Sequence, residues 1–123
     1  MKIAALISRI LLGLIFVVFG SNIFLHFLKM PPPQGQAGAF AGAMFTSGYM
    51  YAVAAFQVVG GLLLLIGRFV PLGLTLLGPV IVNILFFHLF LDPSGLPMAI
   101  VVSILSLVVL AHRRQSFAGL MQA

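Results

Sequence analysis

The chain has 123 residues, of which 63% are hydrophobic and 6% are charged. A soluble domain carries roughly a quarter of its residues as charged side chains, so this composition excludes an ordinary water-soluble fold. The chain has no cysteine, which excludes disulfide bonds and thiolate metal ligands within it. Its formal net charge is +5, but the basic residues lie at the ends of apolar blocks and form no patch, which argues against a nucleic-acid partner.

Four apolar blocks follow one another along the chain, each close to the roughly 20 residues that a helix needs to cross about 30 Å of hydrocarbon. They predict membrane-spanning helices at about 3–28, 49–66, 69–91 and 95–111, with a loop at 29–48 after the first. These elements use up the chain, so we predict one domain over residues 1–123. The predicted fold class is all-α, an integral membrane four-helix bundle surrounded by the lipid bilayer.

Prolines and glycines mark the limits of these blocks. The first span should end before Pro31–Pro33, and because Arg9 interrupts its apolar run we expect a retained helix rather than a cleaved signal peptide. The Gly- and Ala-rich segment 34–48 is compatible with a short interfacial helix or with a packed loop, and both remain open. Pro79 stands inside the third span and should kink it, which frees the carbonyl group of Thr75.

The basic residues predict the orientation of the bundle. With four spans, five bases fall on the side of the two termini: Lys2, Arg9, Arg68, Arg113 and Arg114. Only Lys29 falls on the other side. The positive-inside rule then places both termini in the cytoplasm and the 29–48 loop outside. Arg9 lies close to the inner face, and we expect its side chain to extend to the membrane interface.

Polar side chains inside spans are costly in lipid, and most of them fall in the predicted outer half of the bundle. The candidate ligand-binding residues are Asn22, His26, Gln57, Asn83, His88 and Asp92. Asn22 and His26 are four residues apart and should share one helix face. His88 and Asp92 have the same spacing, so Asp92 can hydrogen-bond His88. Asp92 is also a candidate N-cap for the fourth span.

Two explanations of this polar set remain open. Asn and Gln side chains can form hydrogen bonds between helices and so hold a membrane bundle together. Alternatively, the set lines a pocket for a small molecule or for the head group of a quinone. Haem ligation by His26 and His88 is disfavoured because both lie near the outer rim, so no cofactor is predicted beyond a potential quinone contact.

The sequence shows none of the arrangements that support catalysis. It has no carboxylate pair, no nucleophile with a neighbouring base and no group of metal ligands. We therefore predict no catalytic and no metal-ligating residues, and we do not expect turnover by this chain alone. The glycines of the spans are interpreted as points of close helix packing.

Several stretches resemble one known family. The run RILLGLIFVVFG (Arg9–Gly20) resembles the opening of the DoxX family of small four-helix membrane proteins, and QVVGGLLLLIGR (Gln57–Arg68) resembles its second-helix motif. Leu25–Pro32 and Asn83–Gly95 are similar to a bacterial DoxX-like subgroup. The resemblance extends over about residues 9–117.

The resemblance implies a multi-pass bundle in a bacterial inner membrane. Named members of the family are associated with quinone-linked sulfur oxidation, terminal oxidase assemblies and membrane oxidoreductase complexes. The family motif often carries Glu where this chain has Gln57, and a neutral amide cannot carry a proton as a carboxylate does.

We therefore expect a non-catalytic subunit of a redox or respiratory-type membrane complex. Its partners would be other membrane subunits or a second copy, and it would contact quinone or lipid in the outer leaflet. The alternatives are a stand-alone carrier or binding protein for a small apolar molecule and a purely structural bundle.

Overall fold

The structure is a computed structural model that describes residues 2–27 and 33–121. Its helices are α1 (Lys2–Leu25), α2 (Gly35–Ser47), α3 (Tyr49–Ile66), α4 (Val70–Phe90) and α5 (Leu96–His112). A 3-10 turn at Pro93–Gly95 precedes α5, and a 3-10 helix at Arg114–Met121 follows it. The described residues contain no strand, which confirms the all-α prediction.

Within the described residues, four helices are long and apolar enough to cross a membrane: α1, α3, α4, and α5 together with the preceding 3-10 turn. This confirms the prediction of a four-helix membrane bundle. The structure ends α1 at Leu25. Residues 26 and 27 are not helical, so the predicted continuation of the first span is wrong at these positions. Residue 28, the outward Lys29, and Pro31 and Pro32 lie outside the described residues.

The four spanning helices form a ring. α1 packs against α3 and α5, and α4 also packs against α3 and α5. Successive spans run in opposite directions, so α1 and α4 begin where α3 and α5 end. We call this the basic end, because five basic residues belong to it: Lys2, Arg9, Arg68, Arg113 and Arg114. The opposite end, where α4 turns into α5, is the Asp92 end.

Glycines bring the helix backbones into close contact at two adjacent positions of α3. A Cβ atom built on Gly60 would lie 3.2 Å from the carbonyl oxygen of Gly73 in α4, and one on Gly73 would lie 3.0 Å from that of Gly60. Gly61, the next residue, faces Gly13 of α1 in the same way. α3 is therefore the helix against which two neighbours approach at backbone distance.

The core of the bundle is a continuous apolar cluster. Its fully buried members are Leu12, Leu64, Val70, Leu77 and Val109, which come from all four spanning helices. Large apolar side chains such as Ile7, Phe56 and Leu107 are more than half exposed on the outside. An apolar exterior around an apolar core is what a helix bundle requires in lipid.

The segment whose conformation the sequence left open is helical. α2 begins at Gly35, packs against α3, and ends at Gly48, whose φ of 82° is in the left-handed region. The ring of Phe40 lies 5.5 Å from that of Phe87, centroid to centroid, so α2 also contacts the last turn of α4. α2 thus belongs to the Asp92 end of the bundle.

Candidate functional site

Two of the six candidate side chains are buried in the bundle. Asn22 in α1 is 6% exposed and Gln57 in α3 is 5% exposed. Gly20 allows α3 to approach at this level, since a Cβ atom on Gly20 would lie 3.0 Å from the Cβ atom of Gln57. Both buried amides lie in the half of the bundle toward the Asp92 end, where the sequence placed them.

His26 does not share the buried face of Asn22, so the prediction that the two residues share one helix face is wrong. Its side chain is exposed, because α1 ends at Leu25 and the four-residue spacing no longer places it on the helix face. The backbone of His26 has a φ of 53°, and its N–H group donates to the carbonyl oxygen of Asn22 at 2.7 Å. His26 therefore closes the end of the helix.

Asn83 is also exposed, so it does not join the buried amides of Asn22 and Gln57. The buried face of α4 is formed by Val70, Gly73, Leu74, Leu77, Val80 and Ile81. Asn83 lies outside this face, and its Nδ2 atom donates to the carbonyl oxygen of Pro79 at 2.8 Å, one turn back in the same helix. The side chain of Thr75 does the same, with Oγ1 donating to the carbonyl oxygen of Pro71 at 2.8 Å.

His88 and Asp92 meet at the turn between α4 and α5, but not through the carboxylate. Nδ1 of His88 lies 3.0 Å from the main-chain oxygen of Asp92. A carbonyl oxygen only accepts, so the imidazole carries a proton on Nδ1. The Asp92 carboxylate instead accepts from the hydroxyl group of Ser94 at 2.5 Å, and its side chain caps no main-chain N–H group of the turn. A Cβ atom on Gly95 would overlap the His88 ring.

The candidate residues thus fall into separate places. Asn22 and Gln57 are buried between helices, His88 and Asp92 form a turn, and Asn83 faces outward. The described residues contain no group of three or more His, Asp or Glu side chains that could hold a metal ion. Whether any of these residues binds a ligand stays a prediction.

The sequence interpretation missed a basic cavity at the opposite end of the bundle. Its volume is about 310 Å³, and its basic lining residues are Lys2, Arg9, His112 and Arg113. Lys2 and Arg9 are seven residues apart, so they share one face of α1. Lys2 and Arg9 lie near the end of α5 because α1 and α5 are neighbours in the ring. The spacing of basic residues in the sequence does not show which helices are neighbours.

Arg9 has a structural role beyond the predicted extension of its side chain to the membrane interface. Its Nη1 atom donates to the carbonyl oxygen of Leu64, and it lies 3.4 Å from that of Leu65. These carbonyls belong to the last turn of α3, where the helix leaves them without a helical partner. Gly67, with a φ of 79°, ends this helix directly beneath the guanidinium group. Arg9 therefore caps α3.

A ring of four membrane-spanning helices with polar groups at its ends defines a multi-pass membrane protein. The model of the DoxX family matches residues 4–89, which include α2, α3 and nearly all of α1 and α4. The chain belongs to the DoxX family, as the sequence resemblance predicted. Neither the comparison with curated proteins nor that with solved structures found a match.

Proposed function

We propose that the protein is a non-catalytic subunit of a redox-type membrane complex, and that α4 packs against a helix of another membrane protein. The observation that carries the proposal is the exposed amide group of Asn83. It lies about 10 Å from the end of α4, well inside the hydrocarbon region. An Asn amide has two N–H donors and an acceptor oxygen, and within the described residues only one donor is used, toward Pro79.

An amide group that faces lipid is costly, because hydrocarbon offers it no hydrogen-bond partner. A polar group on a neighbouring helix removes this cost, and such contacts between helices contribute about 0.6–2 kcal/mol. A second transmembrane protein with a hydrogen-bonding side chain is therefore the partner that best satisfies the exposed amide group of Asn83.

The surface around Asn83 has the spacing of a helix-packing face. It consists of exposed residues three or four positions apart, and we call it the α4 stripe: Leu72, Thr75, Pro79, Val82, Asn83 and Phe86. Gly78 lies beside it, and a Cβ atom built there would meet nothing within 4 Å. A small residue next to a polar one is typical of helix interfaces in membranes.

The redox part of the proposal is supported by DoxX membership, through the association of family members with oxidase and oxidoreductase complexes. The neutral Gln57 at a position where the family often carries Glu supports a non-catalytic role. The partner would therefore be an integral membrane subunit that itself carries the redox centre.

Site-specific photo-crosslinking in the native membrane tests this proposal. A photoreactive residue at Val82, on the α4 stripe, should crosslink to a transmembrane redox subunit, and one at Ile104, an exposed position of α5, should not. Asn83→Leu and Gly78→Leu should abolish the product without unfolding the protein, since Asn83 is exposed and a Cβ atom on Gly78 meets nothing within 4 Å. The matched control Ile104→Phe should leave it intact.

Three outcomes would contradict the proposal. Equal crosslinking from Val82 and Ile104 would show no preference for the α4 stripe. A product formed only with a second copy of the chain would indicate self-association instead. Turnover of a quinone by the purified protein alone would exclude a non-catalytic role.

The second candidate function, binding of a small apolar molecule such as a quinone, is favoured by a groove of about 420 Å³ between α1 and α3. Its lining is almost entirely apolar: Ser21, Phe24, Leu25, Ala55, Val58 and Val59. Protein purified in mild detergent would then retain such a molecule, and Val59→Trp would displace it. Asn83→Leu would leave its retention unchanged, which separates the two functions.

A further inference from the structure

The cavity at the basic end is lined by side chains from two helices and by one turn. Lys2, Leu6 and Arg9 come from α1, Gly67 from the turn after α3, and Arg113 from the end of α5. Arg9 and Arg113 are half-buried, and Lys2 is exposed at the rim. A volume of about 310 Å³ lies at the lower end of the roughly 300–1,000 Å³ of small-molecule sites.

No acidic side chain neutralises this cavity. Asp92 is the only acidic residue of the sequence, and it lies at the opposite end of the bundle. The helix dipoles compensate little, because α1 and α4 begin at this end while α3 and α5 end here, so their partial charges of about +0.5 and −0.5 nearly cancel. Lys2, Arg9 and Arg113 therefore carry three positive charges, and no acidic side chain of the described residues lies at this end.

The position of the cavity selects the kind of anion. α1 is 24 residues long, or about 36 Å, so its first residues reach the level of the lipid head groups when it spans about 30 Å of hydrocarbon. Leu6 and Val109 add apolar walls beside the basic residues. A phosphate with an attached acyl chain fits this combination better than a free ion, since the chain can follow the apolar walls.

We propose that this cavity binds the phosphate group of an anionic lipid, held by Lys2, Arg9 and Arg113 between α1 and α5. The guanidinium group of Arg9 is fixed in place by the carbonyl oxygens of Leu64 and Leu65. The lipid phosphate thus bridges α1 to α5, at an end of the bundle where α3 is already tied to α1.

Lipid binding in nanodiscs, measured by native mass spectrometry, tests the site. Wild-type protein should retain phosphatidylglycerol in preference to phosphatidylcholine. The double variant Lys2→Gln/Arg113→Gln should bind phosphatidylglycerol at least about tenfold more weakly than wild type, since each basic residue near the membrane surface strengthens binding severalfold. Arg68→Gln/Arg114→Gln is the matched control, because it removes the same net charge from residues that do not line the cavity.

The control Arg68→Gln/Arg114→Gln should retain clearly more phosphatidylglycerol than Lys2→Gln/Arg113→Gln. Equal losses in the two double variants would show a diffuse attraction to the basic end and would overturn the proposal. So would equal retention of phosphatidylcholine and phosphatidylglycerol by the wild type.

A second pair of variants tests the cavity without changing charge. Leu6→Trp should fill it and displace phosphatidylglycerol, and Ile7→Trp, at the next and similarly exposed position, should not. Retention of phosphatidylglycerol by both variants would contradict the assignment of the cavity as the lipid site. Soluble glycerol phosphate should bind far more weakly than the lipid, and an equal affinity would identify a site for free phosphate instead.

Discussion

Gly13 and Gly61 bring α1 and α3 together at backbone distance. A Cβ atom on Gly13 would lie 2.8 Å from the carbonyl oxygen of Gly61, and one on Gly61 would lie 2.9 Å from that of Gly13. The obstacle is main chain in both directions, so neither helix can yield by a rotamer change. We expect Gly61→Ala to destabilise the bundle by about 1–3 kcal/mol, the usual cost of overpacking, in detergent unfolding experiments.

The matched control is Gly78→Ala, in the same kind of helical backbone but with nothing within 4 Å of the added methyl group. Because Ala favours helix by up to about 1 kcal/mol over Gly, this variant should be neutral or more stable. A Gly61→Ala protein as stable as Gly78→Ala would show that the two backbones are not in contact.

Arg9 should contribute to stability through α3 rather than through its charge. Arg9→Met leaves the terminal carbonyls of Leu64 and Leu65 without their donor, at a cost of about 1–3 kcal/mol. Arg68→Met is the control, because that guanidinium group lies over the ring of Phe69 at 5.8 Å and is exposed, a contact of about 0.5–1 kcal/mol. Equal losses in the two variants, measured by thermal unfolding, would contradict a capping role for Arg9.

His88 and Gly95 should be energetically coupled. The φ of Gly95 is −93°, which any residue tolerates, and the three atoms nearest to a Cβ atom built there all belong to the His88 ring. Gly95→Ala alone should therefore destabilise the turn, and His88→Ala should relieve part of that loss in the double variant. We expect a coupling energy of about 0.5–3 kcal/mol from the double-mutant cycle. Additive losses would indicate that Gly95 is needed for another reason.

The sequence predicted those features of the fold that depend on local chemistry. The four spans follow from apolar length, and the end of α3 at Gly67 follows from a residue that adopts positive φ at no steric cost. The family followed from motifs in α1 and α3. These features require no knowledge of which helices are neighbours.

The orientation of side chains around each helix could not be predicted in the same way. In water, the contrast between polar and apolar positions shows which face is buried, but in lipid the outside of a bundle is as apolar as its core. Polarity alone therefore groups Asn83 with the buried Asn22 and Gln57, although its side chain is exposed on α4. The basic cavity was missed for a related reason, since it depends on α1 and α5 being adjacent.

The orientation of the bundle in the membrane is the last prediction. Lys2, Arg9, Arg68 and Arg113 lie at one end of the described bundle, and the positive-inside rule places that end in the cytoplasm. The chain has no cysteine, so single cysteines can report on each side. Gln36→Cys, in exposed α2, should react with a membrane-impermeant thiol reagent in intact spheroplasts, and Gln115→Cys, exposed after α5, should react only after lysis. The reverse pattern would place both termini outside, and labelling of both positions before lysis would exclude a single orientation.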